Sequence, residues 1–242
     1  MTLLLLAGTA EAQQVARILS MKGHAAIASL VGATRSPRAI DLPTRIGGFG
    51  GEAGFVLYLE SAGITAVLDA THPFAARISD RTARICAARG LPYCQILRPE
   101  WSPEADDRWT MIAAEEEAAA YIPAGATVFL ATGRQGLARF SNLTGRHLIC
   151  RVVDPPETAF PFANGKFLVG RPPFTPEAER ELFERLGVDW LVVKNAGGRA
   201  SESKLVAARA CGLPVAMIAR PPQPVAQRVA TVAAAIDWVQ GL

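Results

Sequence analysis

Short runs of apolar residues alternate along this chain with longer segments in which apolar residues recur at helical spacing. Residues 2–7 predict a strand, and residues 10–21 predict a helix with Val15, Ile18 and Leu19 on one face. The predicted strands are apolar almost throughout, which is typical of parallel sheets that helices cover on both faces. The pattern therefore predicts an α/β fold.

The same alternation continues to the C-terminus with one pause. Before the pause, predicted strands cover residues 25–31, 44–47, 66–70 and 92–97, and predicted helices cover 54–62 and 74–88. After it, predicted strands cover 110–113, 127–131, 147–153, 166–169, 190–194 and 214–218, and predicted helices cover 115–121, 135–140, 176–186, 201–211 and 225–239. The pause, residues 98–104, contains two prolines and two carboxylates and predicts a hinge. We expect two α/β domains, residues 1–98 and 99–242, with mostly parallel sheets and a ligand cleft between them.

Composition and charge argue against several classes of function. The 242 residues are 50% hydrophobic, and 25 basic and 22 acidic residues give a net charge of only +3, which argues against a nucleic-acid binder. The apolar run at residues 3–7 is far shorter than the ~20 residues of a membrane-spanning helix, and no Lys or Arg precedes it as in a signal peptide. The four cysteines form no C-x-x-C pair, so we expect no metal site and a cytoplasmic protein.

Ligands of open α/β sheets bind beyond the carboxyl ends of the strands, so the turns that follow strands are the candidate sites. The first is Gly8-Thr9-Ala10-Glu11. Gly8 allows a tight turn, Thr9 can cap the next helix, and free N–H groups of the first helical turn favour an anion such as phosphate. With one glycine this is not a G-x-G-x-x-G fingerprint, and a plain capped turn is equally compatible with it.

The second turn, residues 32–38, contains Arg35, Ser36 and Arg38 and no acidic residue. In dinucleotide-binding folds this position meets the adenosine ribose, where a basic residue suits the 2′-phosphate. The turn favours NADPH over NADH if a nucleotide binds. A solvated basic loop is the alternative.

The third turn, residues 69–75, follows a buried strand with Asp69 at its end. Thr71 is expected to cap the next helix and Pro73 to lie near its first position. His72 lies where a side chain can project towards a ligand and exchange a proton or bind an anion, although a structural role stays open.

The fourth turn, residues 194–204, combines two glycines with Lys194, Arg199 and Lys204, which suits carboxylates or phosphates. Arg134 and Arg171 follow two further strands and repeat this theme. The sequence contains no G-x-S-x-G elbow, P-loop or H-E-x-x-H motif, which argues against hydrolase, NTPase and zinc-protease activities.

Three of these segments resemble the precorrin-6A reductase family of cobalamin biosynthesis: residues 6–12 (LAGTAEA), residues 69–75 (DATHPFA) and residues 194–198 (KNAGG) together with Lys204. The resemblance covers nearly the whole chain. It implies two Rossmann-like halves around a cleft. It also implies a cytoplasmic, NADPH-dependent reductase that converts precorrin-6A, a macrocycle with many carboxylates, to the dihydro compound precorrin-6B.

These motifs assign roles to individual residues. The expected catalytic residues are His72 and Lys204, with a bound water or a carboxyl group of the substrate as other proton donors. The expected cofactor-binding residues are Gly8, Thr9, Glu11, Arg35, Ser36, Thr71, His72 and Pro73. The expected substrate-binding residues are Arg134, Arg171, Lys194, Asn195, Gly197, Gly198 and Lys204.

Two alternatives stay open on sequence grounds. One is a non-redox protein that binds or cyclises a tetrapyrrole, of the uroporphyrinogen-III synthase type, and NADPH binding would distinguish it. The other is a two-domain module that binds one small anion and consumes no reductant. We expect a monomer, because the helices have ordinary amphipathic faces and no coiled-coil seam appears.

Overall fold

The computed structural model describes residues 1–32 and 39–242, so Arg35 and Ser36 lie outside the described residues. The chain forms two compact units: unit 1 comprises residues 1–99 and 221–242, and unit 2 comprises residues 100–220. Each unit contains one six-stranded sheet in which every described pairing is parallel. The predicted α/β class with parallel sheets is confirmed.

Unit 1 is built around β1, whose four leucines are all buried. Its strands are β1 (Leu3–Leu6), β2 (Ala26–Leu30), β3 (Thr44–Ile46), β4 (Ala66–Asp69), β5 (Tyr93–Ile96) and β12 (Gln227–Val229), and its helices are α1 (Ala10–Met21), α2 (Gly51–Ser61), α3 (Ala76–Ala88) and α6 (Val232–Gln240). Successive side chains of a strand point to opposite faces. Leu3 and Leu5 therefore join a cluster with α1 and α6, whereas Leu4 and Leu6 join one with α2 and α3.

Unit 2 has a similar sheet order to unit 1, but its edge strand β6 comes first in the chain rather than last. Its strands are β6 (Arg108–Ile112), β7 (Thr127–Leu130), β8 (His147–Val152), β9 (Gly165–Val169), β10 (Trp190–Lys194) and β11 (Pro214–Ile218), and its α-helices are α4 (Pro176–Leu186) and α5 (Ser203–Ala210). The predicted helices 115–121 and 135–140 are 3-10 helices in the structure, Glu115–Ala120 and Arg134–Phe140. Read from the opposite edge, the unit 1 sheet β12-β5-β4-β1-β2-β3 follows the doubly wound pattern 3-2-1-4-5-6. The unit 2 sheet β6-β11-β10-β7-β8-β9 follows it over β7–β11 only, because β6, the first strand of the unit in the chain, occupies the sixth place.

The last 22 residues differ from the prediction. Residues 221–242 belong to unit 1 rather than to the predicted domain 99–242, and residues 227–229, predicted as helix, form β12. β12 pairs with the edge strand β5, and the N–H of Leu97 donates to the carbonyl of Val229. Helix α6 begins only after Thr231, whose side chain caps it, and packs against α1. Pairing with the open edge of β5 thus overrides the local helical pattern.

Within the described ranges 1–32 and 39–242, none of the helices is both long and apolar enough to span a membrane.

Candidate functional site

The turn after β1 is held open by backbone geometry rather than by packing. Gly8 has φ +137°, and a Cβ added there would meet no atom within 4 Å, so the space beside the backbone is available to a ligand. The Thr9 hydroxyl accepts from the N–H of Ala12 at 3.2 Å and donates to the carbonyl of Ala70 at 2.8 Å. Thr9 therefore caps α1, as predicted, and also ties the first candidate turn to the third.

Glu11 is engaged in an ion pair. Its carboxylate lies 2.9 Å from the guanidinium of Arg98, and both side chains are mostly buried, with 24% and 14% exposure. This pair holds the first turn of α1 against the segment that follows β5. No local pattern predicts this pair, because the two residues are 87 positions apart.

The third turn is supported by a buried carboxylate at the end of β4. Asp69 is fully buried, and its two oxygens accept from the N–H of Thr71 and from the Tyr93 hydroxyl, each at 2.9 Å. Burial, followed by the nearby negative charge of Asp69, raises the pKa of Tyr93 far above its ordinary range, so this hydroxyl remains a donor. Asp69 thus fixes the start of the turn.

The predicted helix start in this turn is wrong. Helix α3 begins at Ala76 with Ala75 as its N-cap, so Thr71 does not cap it and Pro73 lies outside its first turn. The N–H of Ala75 instead donates to the carbonyl of His72 at 2.7 Å, which makes a separate tight turn. Two features prevent an earlier helix start. The N–H of Thr71 donates to Asp69, and Pro73 favours an extended conformation at His72.

His72 is exposed at the first position of this tight turn. Its Nδ1 atom accepts from the N–H of Phe74 at 3.2 Å. In the neutral ring the proton therefore lies on Nε2, which is the ring atom able to donate a hydrogen bond.

A glutamine pair that the sequence analysis did not single out also supports this turn. The Gln223 amide donates to the carbonyl of Pro73 at 2.9 Å and accepts from the Gln95 amide at 3.0 Å. Gln95 is only 3% exposed. The sequence offered one signal for this pair: Gln95 is a polar residue within the apolar segment 92–97. No local pattern identified Gln223.

The fourth turn, in unit 2, follows β10. Lys194 lies 3.6 Å from the buried carboxylate of Glu115, and Gly197 and Gly198 both adopt positive φ. The buried side chain of Asn195 accepts from the N–H of Trp101 at 2.9 Å and donates to its carbonyl at 3.1 Å. Asn195 thus fixes the loop through its side chain, and of the two glycines Gly197 is buried and Gly198 half-buried.

Lys204, in the first turn of α5, is a buried cation that is 9% exposed. Its ammonium donates to the carbonyl of Ser201 and lies 6.0 Å from the centre of the Trp101 ring. Burial, followed by the positive charge of Arg151, lowers the pKa of Lys204 from 10.5 to about 8, with Glu179 acting in the opposite direction. A lysine in this range exchanges protons far more readily near neutral pH than an exposed one.

Arg151 and Glu179, which the sequence analysis did not select, form the ion pair beside Lys204. Two parallel hydrogen bonds of 2.7 and 2.8 Å join them, and both side chains are buried. The Arg151 guanidinium also stacks on the Phe174 ring at 4.3 Å. No local pattern pointed to this pair, because each residue lies on a different element.

The two other predicted cations of unit 2 also follow strands. Arg134 is exposed and begins the 3-10 helix after β7, and Arg171 follows β9 with its guanidinium 2.7 Å from Asp154. Arg134, Arg171, Lys194 and Lys204 thus all lie beyond carboxyl ends of strands of one sheet. Such an arrangement can bind several carboxylates. In residues 1–32 and 39–242, no cluster of His, Cys, Asp and Glu is suited to a metal ion.

Comparison with known proteins adds independent information. Residues 2–240 match the model of a family described as "Precorrin-6x reductase CbiJ/CobK". The chain is 44% identical to the precorrin-6A reductase of Rhodobacter capsulatus, over 98% of this chain and 95% of the relative. It is 42% identical to that of Rhodococcus erythropolis, over 98% and 96%. A solved structure of CobK precorrin-6A reductase is 43% identical and superposes with a TM-score of 0.95, over 100% of this chain and 96% of the other.

Proposed function

Because the chain belongs to the precorrin-6x reductase CbiJ/CobK family, we propose that it catalyses the NADPH-dependent reduction of precorrin-6A to precorrin-6B. The reaction saturates one double bond of a macrocycle that carries many carboxylates. The structural observation that carries the proposal is the open turn at Gly8, because it suits the phosphates of a dinucleotide at the start of α1. The non-redox alternative is not favoured by these relatives.

The turns after β1 and β4 are the proposed cofactor site. Gly8 and the backbone at Thr9 would hold the phosphates, and Thr71, His72 and Pro73 would contact the cofactor from the next turn, which Thr9 ties to the first. Glu11 contributes by holding the start of α1 through its ion pair with Arg98. We assign the 2′-phosphate to Arg35 and Ser36 on the composition of their turn.

NADPH, when bound, supplies the hydride, and a proton must reach the neighbouring carbon of the substrate. We propose two candidate donors from this chain. His72 can act from its imidazolium form, which on releasing a proton becomes the neutral ring whose Nδ1 accepts from the N–H of Phe74. The Lys204 ammonium can donate because its pKa, lowered to about 8, lies near neutral pH.

Substrate carboxylates are assigned to unit 2. Arg134, Arg171, Lys194 and Lys204 offer cationic side chains, and Gly197 and Gly198 offer backbone N–H groups. Asn195 supports them by fixing the loop to Trp101 rather than by direct contact. We further propose a cytoplasmic monomer, whose mass light scattering would test.

The cofactor assignment is tested by following NADPH and NADH oxidation at 340 nm with purified precorrin-6A. We expect oxidation of NADPH and little oxidation of NADH. A charge-assisted contact to the 2′-phosphate contributes about 1.5–3 kcal/mol. Arg35→Ala should therefore weaken NADPH binding about 10- to 100-fold and leave NADH binding unchanged. Arg17→Ala, which removes an exposed arginine of α1, is the matched control. Equal losses for both cofactors would refute the assignment.

The proton donor is tested by His72→Asn and Lys204→Met in parallel. Loss of the general acid should lower kcat by about 10²-fold or more and leave cofactor affinity largely intact. A variant that changes only KM has lost a binding contact instead. If neither variant lowers kcat, the proton comes from water or from a carboxyl group of the substrate.

A further inference from the structure

Gln223 connects the C-terminal segment of unit 1 to the turn that carries His72. Its amide nitrogen donates to the carbonyl of Pro73 at 2.9 Å and to the carbonyl of Pro221 at 2.7 Å. Its amide oxygen accepts from the side chain of Gln95 at 3.0 Å. Gln95 is buried on β5, directly opposite Asp69 of β4 in the sheet. The two buried polar residues therefore support the same turn from neighbouring strand ends.

The orientation of the Gln223 amide is dictated by these partners. An amide group has two N–H donors on one side and a carbonyl oxygen on the other. Here both donors face carbonyl oxygens, and the oxygen faces an N–H of Gln95. Rotating the amide by half a turn would place its oxygen against the carbonyls of Pro73 and Pro221, so only one orientation satisfies all three groups.

The peptide bond that Gln223 holds is also the one that contacts His72. Its carbonyl belongs to Pro73 and accepts from Gln223, while its N–H belongs to Phe74 and donates to Nδ1 of His72. A peptide unit is planar and rigid, so fixing its carbonyl fixes the direction of its N–H. The direction of that N–H decides which ring nitrogen of His72 is an acceptor.

The segment that carries Gln223 is itself stiff. Residues 221–224 have the sequence Pro-Pro-Gln-Pro, and each proline ring fixes its own φ. The Arg228 guanidinium donates to the carbonyl of Gln223 at 3.1 Å and to that of Pro224. Gln223 is therefore presented to the turn by backbone that has few other conformations.

We propose that Gln223 is a positioning residue, which sets the tautomer and orientation of His72 through the Pro73–Phe74 peptide. The effect on turnover rests on the proposed role of His72 as a proton donor, whereas the effect on the tautomer does not. Loss of the Gln223 amide frees this peptide to rotate, so the neutral His72 ring becomes a mixture of both tautomers.

The test combines nitrogen NMR with kinetics on the full chain. With 15N-labelled histidine at alkaline pH, the two ring nitrogens of a neutral imidazole have different shifts, and His72→Asn assigns the signals among three histidines. We expect the Nε2–H tautomer in the natural protein and averaged shifts in Gln223→Met. We also expect kcat to fall between about 10- and 100-fold, with the KM for precorrin-6A little changed.

Gln227→Met is the matched control, because Gln227 lies on the same segment and its side chain accepts only from the half-buried indole of Trp238 among the described contacts. This variant should leave both the His72 nitrogen shifts and kcat unchanged. Unchanged His72 shifts in Gln223→Met would overturn the proposal. Altered shifts beside an unchanged kcat would support the positioning role and refute instead the proposed role of His72 as a proton donor. Failure of the proposed function would instead appear as inactivity of the natural protein, with the NMR difference intact. If Gln223→Met does not fold, Gln95→Met should shift the same nitrogens, and unchanged shifts there overturn the proposal.

Discussion

Replacing Lys204 with methionine is expected to stabilise the protein near neutral pH, although Lys204 lies in the proposed site. The ammonium is buried, and its pKa is lowered to about 8 by burial and then by Arg151. A lowered lysine pKa means that the folded state binds the proton less tightly than the unfolded state does. At pH 7 the folded protein therefore carries an unfavourable charge, which methionine of similar length would remove.

The sign and size follow from proton linkage. Between about pH 8 and pH 10.5 the unfolded state binds the proton and the folded state does not, so the free energy of unfolding rises with pH. At 1.36 kcal/mol for each pH unit, the full rise is about 3 kcal/mol. Losing the hydrogen bond to Ser201 costs about 1 kcal/mol, which leaves a net gain of about 2 kcal/mol for Lys204→Met at pH 7.

Urea unfolding at pH 7.0 and pH 9.5 measures this difference. Tryptophan fluorescence reports mainly on unit 2, which holds three of the four tryptophans: Trp101, Trp109 and Trp190. The advantage of Lys204→Met should shrink by about 2 kcal/mol between the two pH values. Lys166→Met, which replaces an exposed lysine of the same unit, is the control and should show no such change. A Lys204→Met protein that is less stable than the natural one at pH 7, with the same difference at pH 9.5, would refute the reasoning.

Substitutions at three further positions test the supports of the site by thermal and urea unfolding. Thr9→Val removes the cap of α1 and should cost about 1–2 kcal/mol, whereas Thr9→Ser keeps the hydroxyl and should cost less; equal costs would contradict a role for the hydroxyl. Glu179→Gln leaves Arg151 as a buried charge without its carboxylate and should cost about 3–5 kcal/mol; a cost below 1 kcal/mol would contradict that reasoning. Tyr93→Phe removes a donor from buried Asp69 and should cost about 1–3 kcal/mol, and an unchanged melting temperature would contradict it.

Local signals were sufficient for many elements. Four consecutive leucines predicted β1, because a strand that helices cover on both faces must be apolar on both faces. Both ends of helix α4 were predictable from local residues. Thr175 is its N-cap, Pro176 is its first residue, and Gly187 ends it in a left-handed conformation. The same reasoning selected the turns at residues 8–11, 69–75 and 194–204, since ligand-binding turns follow apolar strands.

Tertiary structure alone decided which distant residues meet. Residues 225–239 have a helical pattern, yet residues 227–229 form β12, which pairs with β5. The C-terminal residues therefore belong to unit 1. Gln223 and Gln95 are 128 positions apart, and the spacing of apolar residues contains no information about such a pair. Periodicity reports the face that a residue presents within its own element, whereas the partner across that face depends on how elements pack. The sequence by itself therefore determined the alternating α/β elements and the candidate turns. The packed structure determined the carboxylates, amides and buried charges that hold those turns in place.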